Sequence, residues 1–175
     1  MEANKTLIWL NITIVLFAWM VSVVAFNELP ERIPTHFGLN GKPDRWSDKT
    51  PLIFYMMPTI QVVMVVIFIW IIRYPKLFNF PQKNEIKNWP EENKKPIYKY
   101  LSKMSLVICL MINLLFLTIQ YSIIYGAKTE TMSKIALVLI IIMTFSFIPL
   151  TVFILANLNK IIKETKKTLS YQKVI

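Results

Sequence analysis

The chain has 175 residues, 55% of them hydrophobic and 17% charged, and carries a net charge of +10 at neutral pH. That length makes one structural unit the default, and a single cysteine excludes an internal disulfide framework. In a soluble chain so basic a balance would point to nucleic acid; here the placement of the charges points elsewhere.

Asp, Glu, Lys, Arg and His are absent from residues 6–27, 50–72, 104–127 and 135–159. Each window holds at least the roughly 20 residues a helix needs to cross a hydrocarbon core at about 1.5 Å per residue. The sequence therefore predicts an all-α, polytopic membrane protein. Its four transmembrane helices, at about 7–26, 52–72, 105–125 and 135–158, make a single domain spanning 1–175. An ordered extracellular loop at 27–49 separates the first two helices, a cytoplasmic loop occupies 73–103, and a cytoplasmic tail runs over 159–175.

The first window has a competing reading as a cleaved signal peptide, since residues 23–25 loosely resemble a small-residue cleavage site. Its apolar run is longer than a typical signal core and Glu2 dilutes the positive start, so a retained helix is expected. Within it Trp9 suits a headgroup level, and Asn11 reads as packing glue between helices. In the second helix Pro51 suits the first turn. Pro58 predicts a bend, and Gln61 is a candidate for bonding the carbonyl that Pro58 leaves free. Trp70, Arg73 and Tyr74 then form an inner-interface anchor.

Loop 73–103 carries eight basic and three acidic residues and prolines at 75, 81, 90 and 96. Those prolines predict a broken connector, with Pro96 starting a short helix through Tyr98, Tyr100 and Leu101. A solvated connector lying against anionic headgroups is favoured over a docking surface for a cytoplasmic partner. In the third helix Asn113 and Gln120 share one face, expected to point into the bundle because an amide is costly against lipid. Cys109 reads as a buried small hydrophobe, and Tyr121 and Tyr125 mark the outer interface. A short loop at 126–133 makes the last two helices an antiparallel hairpin. Pro149 predicts a bend in the fourth helix, and the tail, with Ile161 and Ile162 among lysines, suits a continuation along the membrane surface.

If the termini and loop 73–103 share one side, that side holds fourteen of the twenty Lys and Arg residues and the other six. The positive-inside rule then predicts cytoplasmic termini and an extracellular loop 27–49. The basic balance is read as topology and anionic-lipid attraction, with no nucleic-acid partner. No ionisable residue lies within a predicted helix core, where ion-coupled transporters normally need one. His36 is the sole histidine, too little for a metal site, and phosphate-loop, H-E-x-x-H and G-x-S-x-G motifs are missing. The inventory predicts no enzyme, no metal and no cofactor.

That leaves loop 27–49. Pro30 and Pro34 hold Leu29 and Ile33 extended; Ile33, Thr35 and Phe37 alternate as in a short strand. Asn40-Gly41 predicts a tight turn, and Lys42-Pro43-Asp44 a second. Trp46 suits either the membrane interface or packing over Phe37. His36 and Asp44 are spaced to hydrogen-bond across the turns, a contact that would hold the loop's shape.

The run Leu29-Pro30, Ile33-Pro34, His36-Phe37, Gly41, Pro43-Asp44-Arg45-Trp46 and Lys49 resembles the signature loop of a bacterial membrane domain of unknown function. That domain forms the N-terminal part of SdpI-like immunity proteins. Phe78-Asn79-Phe80-Pro81 and Trp89-Pro90-Glu91 are similar, less closely, to the same family's cytoplasmic loop. The likeness covers roughly the first hundred residues; the last two helices match only in length and hydrophobicity. It implies a multi-pass protein of the bacterial cytoplasmic membrane. Members of that type protect a producer cell from a secreted peptide toxin and signal by holding a repressor at the membrane. The chain is shorter than SdpI, which has further helices. The expectation is a non-enzymatic protein whose outer loop, through Pro30, Pro34, His36, Phe37, Gly41, Pro43, Asp44, Arg45 and Trp46, recognises an extracellular peptide or a membrane or regulatory protein. The alternative is a transport component with a polar path along Asn11, Gln61, Asn113 and Gln120.

Overall fold

The computed structural model describes residues 4–38 and 40–172. Glu2 and the last three residues of the predicted tail lie outside the described residues. The elements in order are α1 (Lys5–Phe26), β1 (Arg32–Phe37), β2 (Pro43–Asp48), α2 (Pro51–Phe54), α3 (Met56–Arg73), α4 (Lys83–Ile86), α5 (Glu91–Thr129) and α6 (Lys134–Gln172). Four helices, α1, α3, α5 and α6, are long and apolar enough to cross a membrane. The protein is thus a helical, multi-pass membrane type with one small two-stranded sheet.

α5 is the centre of the bundle, packing against α1, α3 and α6, whereas α6 packs chiefly on α5. α1 turns a narrow buried stripe to its neighbours: Asn11, Val15, Ala18, Ser22 and Ala25. That stripe steps by three and four residues, so it stays on one helix face. Small residues at 18, 22 and 25 allow the backbones to approach, the usual way membrane helices gain contact without a hydrophobic driving force. Trp9, Phe17, Met20 and Val24 on the other side are exposed, which is ordinary for a face meeting lipid.

The amides act as cross-helix ties. Asn113 donates from Nδ2 to Asn11 Oδ1 at 2.9 Å, and Asn11 donates to the Leu106 carbonyl at 3.2 Å. Gln61 donates to the Asn113 carbonyl at 2.6 Å. The bend in the second spanning segment falls at Tyr55, between α2 and α3, just ahead of Pro58. A proline at 58 has no N–H for the carbonyl four residues earlier, that of Phe54. Gln61 was the expected donor to it, but Gln120 of α5 takes that place, its Nε2 lying 3.3 Å from Phe54 O. Gln61 sits one turn too far along α3 and reaches α5 instead.

This assignment predicts a reversal. Gln120→Leu should destabilise by about 1–3 kcal/mol, because it leaves the Phe54 carbonyl buried without a donor. In a Pro58→Ala background, where residue 58 regains its N–H, the same change should cost much less. Unfolding of the four variants in mild detergent checks it, and equal costs in both backgrounds would refute the assignment.

α5 and α6 are each 39 residues long, about 58 Å at helical rise and so far longer than a 30 Å hydrocarbon core. Both project beyond the apolar windows at the lysine-rich end. Pro96 does not start a helix; α5 begins at Glu91 and passes through it. The missing N–H frees only the carbonyl of exposed Glu92 in the opening turns, where water can bond it. The tail continues α6 without a break as far as Gln172. Its apolar residues are used against α5: Leu158 and Ile162 pack with Ile97 and Leu101, and the connector adds Phe78, Phe80 and Ile86 to the same buried cluster. Gln82 bonds Asn159 at 2.5 Å and Glu85 pairs with Lys166 at 2.6 Å. Segment 74–90 is therefore a folded cap over the two projecting helices, where the sequence suggested a solvated connector. Tyr100 belongs to this cap, its hydroxyl donating to the Ile154 carbonyl at 3.2 Å; burial raises its pKa above the ordinary tyrosine value.

Candidate functional site

At the opposite end β1 and β2 form an antiparallel hairpin across the helix termini. Its register pairs Arg32 with Asp48, Ile33 with Ser47, Pro34 with Trp46, His36 with Arg45 and Phe37 with Pro43. Two irregularities interrupt the ladder, leaving Thr35 extra on β1 and Asp44 extra on β2. Because there is one on each strand, they compensate, and pairing resumes beyond them. The predicted alternation is broken accordingly: Ile33 and Pro34 are both buried and Thr35 is exposed.

The turn closes with Gly41 N–H donating to the Gly38 carbonyl and Gly38 N–H to the Lys42 carbonyl, both at 2.9 Å. Gly41 has φ +75°, a left-handed conformation that costs glycine nothing. Asn40 Oδ1 accepts from Lys42 N–H at 3.0 Å, so the tight turn predicted at Asn40-Gly41 is present. Lys42-Pro43-Asp44 is not a second turn, because Pro43 already begins β2. Its φ suits extended backbone, and at the start of a strand its missing N–H is tolerated.

Four contacts clamp the hairpin to the helices. Ile33 and Leu29 are buried with Ala25, Phe54 and Ala127. The Phe37 ring lies where a side chain on residue 126 would be, its Cζ only 2.7 Å from the position of a Cβ on Gly126. The Gly41 carbonyl accepts from Met132 N–H at 2.7 Å, tying the turn to the α5–α6 loop. Lys49 Nζ donates to the carbonyls of Phe26 and Leu29 at 2.9 and 2.6 Å and stands 5.0 Å over the Phe26 ring. A cation on the carbonyl of Phe26, the last residue of α1, complements the negative helix end. Beside it Glu28 and Lys128 pair at 2.8 Å, joining α1 to α5; the hydrogen bond and charge of Lys128 hold the Glu28 carboxyl below the usual glutamate range.

The nine residues singled out by sequence divide by side. Pro34 and Gly41 are buried and Phe37, Pro43 and Trp46 half-buried, whereas Pro30, His36, Asp44 and Arg45 are exposed. Trp46 stands opposite Pro34 in the ladder, not Phe37, whose ring is committed to Gly126. His36 Nδ1 and Asp44 Oδ1 are 2.5 Å apart with side chains 60% and 55% exposed. The hairpin's outer surface thus combines this bonded pair with Arg45, Arg32, Lys42 and Asp48, cations and anions interspersed. Among the described residues no three His, Cys, Asp or Glu side chains gather closely enough to hold a metal ion. Lys49, Gly126, Glu28, Lys128 and Met132 were not among the predicted site residues, although Lys49 belongs to the motif run. Gly126 had one visible signal, a glycine at the end of a long apolar run; the others become partners only through the fold.

Fold and site together define a multi-pass helical membrane protein with a β-hairpin clamped across one end of its bundle. Residues 13–62, from the middle of α1 through the hairpin into α3, match a family described as Domain of unknown function (DUF1648). An uncharacterized protein of the archaeon Archaeoglobus fulgidus is 26% identical over 162 residues, covering 88% of this chain and 87% of its own length. That likeness reaches well past the hairpin into the last two helices, and it lies outside the bacteria. No solved structure matches the chain.

Proposed function

We propose that the protein is a non-enzymatic recognition protein of the cell membrane, of the SdpI-like kind. The hairpin faces outward and binds a secreted peptide or a partner membrane protein, and the lysine-rich end and both termini lie in the cytoplasm. One observation carries the reading: the hairpin is fixed to the helices from beneath while His36, Asp44 and Arg45 stay exposed and mutually oriented. Preorganised polar groups on a rigid support lose little entropy on binding. The uneven distribution of Lys and Arg between the two ends supports the orientation.

In cells that depend on the protein for resistance to a toxic peptide, a His36→Ala, Asp44→Ala, Trp46→Ala variant should lose protection by at least about tenfold, as removal of interface anchors does. Its membrane insertion and unfolding midpoint should be close to those of the unmutated protein. Undiminished protection would overturn the proposal. The transport reading is less supported, because Asn11, Gln61, Asn113 and Gln120 are each at most 1% exposed and bonded across helices.

A further inference from the structure

The lysine-rich end carries a second surface, independent of whatever the hairpin binds. Each spanning helix bears an exposed cation where it leaves its apolar window: Lys5 on α1, Arg73 on α3, Lys99 and Lys103 on α5, and Lys160 on α6. Lys99 lies five residues before Met104, about 8 Å of helix, which is about the thickness of a headgroup layer. Lys76 joins them from the turn after α3. Its carbonyl accepts from Lys83, and neighbouring Gln82 bonds Asn159, the residue beside Lys160. Trp9, Trp70 and Tyr74, all more than half exposed, stand at the same level and mark it as an interface.

Among the described residues none of these six cations is in an ion pair. Among the described residues the carboxylates of this end sit farther out. Glu91 and Glu92 pair with Lys94 and Lys95 at 3.2 and 3.7 Å, and Glu85 with Lys166 at 2.6 Å. Along α5 the first carboxylate beyond Lys99 is Glu92, seven residues or about 10 Å away, more than the roughly 8 Å Debye length at physiological salt. On α6 Glu164 stands one helical turn beyond Lys160, at the upper margin and next to Lys163. Insertion topology explains an excess of lysine on one side. It does not explain why, among the described residues, carboxylates are sparse at this level, since Asp and Glu contribute little to topology.

We propose that Lys5, Arg73, Lys76, Lys99, Lys103 and Lys160 form a collar that binds the phosphates of anionic phospholipids in the adjoining leaflet. The cap above it, tied to α6 by the Glu85–Lys166 pair, is held at a fixed height over the membrane. Lysine suits this role as a flexible point charge whose alkyl stem can lie along the apolar boundary.

The test is lipid selectivity of the full chain in bilayer discs of mixed phosphatidylglycerol and phosphatidylcholine, read with spin-labelled lipids. At low salt the protein should prefer the anionic lipid by roughly fivefold, a preference that molar salt removes. The triple variant Lys99→Gln, Lys103→Gln, Lys160→Gln should lose most of it. A triple that removes equal charge farther out, Lys87→Gln, Lys95→Gln, Lys167→Gln, should keep it, and arginine at 99, 103 and 160 should restore it. Equal losses in the two glutamine triples, or no preference in the unmutated protein, would overturn the collar. Displacement of the lipid by millimolar soluble glycerol phosphate would do the same, by showing a free-phosphate site.

Discussion

Replacing Gly126 with valine should release the hairpin from α5 and cost about 2–3 kcal/mol, at the upper end of what overpacking a filled site does. A Cβ at 126 would come within 2.7 and 2.8 Å of the Phe37 ring and 3.3 Å of Pro34 Cγ, so the ring has to leave. The alanine variant makes the sharper experiment, because two effects of opposite sign compete. Alanine in a helix is favoured over glycine by about 1 kcal/mol, and Gly126 lies in the last turns of α5. If the seat were empty, Gly126→Ala would stabilise. With the ring in place it should destabilise. In a Phe37→Ala background the sign should become neutral or favourable, giving a coupling energy of about 1–3 kcal/mol in a double-mutant cycle. Thermal unfolding in detergent measures the cycle, and amide exchange over 32–48 reports whether the hairpin has loosened. Stabilisation of the otherwise unmutated protein by Gly126→Ala would show that Phe37 does not occupy this position.

The contrast between Gly126 and Gly41 shows what a sequence can disclose. Gly41 follows asparagine in a short polar segment, and the tight turn that its left-handed φ serves was expected from the dipeptide alone. Gly126 looks like the beginning of a loop, yet it serves α5 by leaving space for a ring about 90 residues away in sequence. The four spanning segments were legible for a similar local reason, since the absence of charge over the length of a bilayer needs no partner to be recognised. The roles of the amides were half legible. Burial of Asn113 and Gln120 follows from their cost in lipid, but which carbonyl each would bond depends on the relative height of α3 and α5, a quantity no single helix encodes. Most of the errors fall at the lysine-rich end. Prolines 75, 81, 90 and 96 were read as breaks in a solvated connector; three of them do break the segment, but it is folded, and the fourth is carried inside α5. Phe78, Phe80 and Ile86 were the available signal, apolar residues with no reason to be there in a solvated linker.

That cap yields the second large effect. Ile86→Ala should cost about 2–4 kcal/mol of local stability, the usual penalty for emptying a buried aliphatic site. Ile86 is 1% exposed and lies in the cluster with Phe78, Phe80, Ile97, Leu101, Leu158 and Ile162. Beyond that cluster and the Lys94 bond to the Lys87 carbonyl the segment is retained by weak contacts: the 2.5 Å Gln82–Asn159 bond and the 2.6 Å Lys166–Glu85 pair are both exposed, and exposed ion pairs contribute little. Opening should therefore be local to 74–90, leaving the spanning helices intact. Trypsin reads it directly, because Lys83 and Lys87 lie within the segment. When opening is fast relative to cleavage, the cleavage rate follows the open population, so it should rise by roughly 30- to 1000-fold at those two sites. Lys87→Ala provides no such rise, since that side chain is exposed and only its carbonyl, bonded by Lys94 Nζ at 2.8 Å, contributes to the cap. A connector that was merely solvated would be cut as fast in the unmutated protein as in the Ile86 variant.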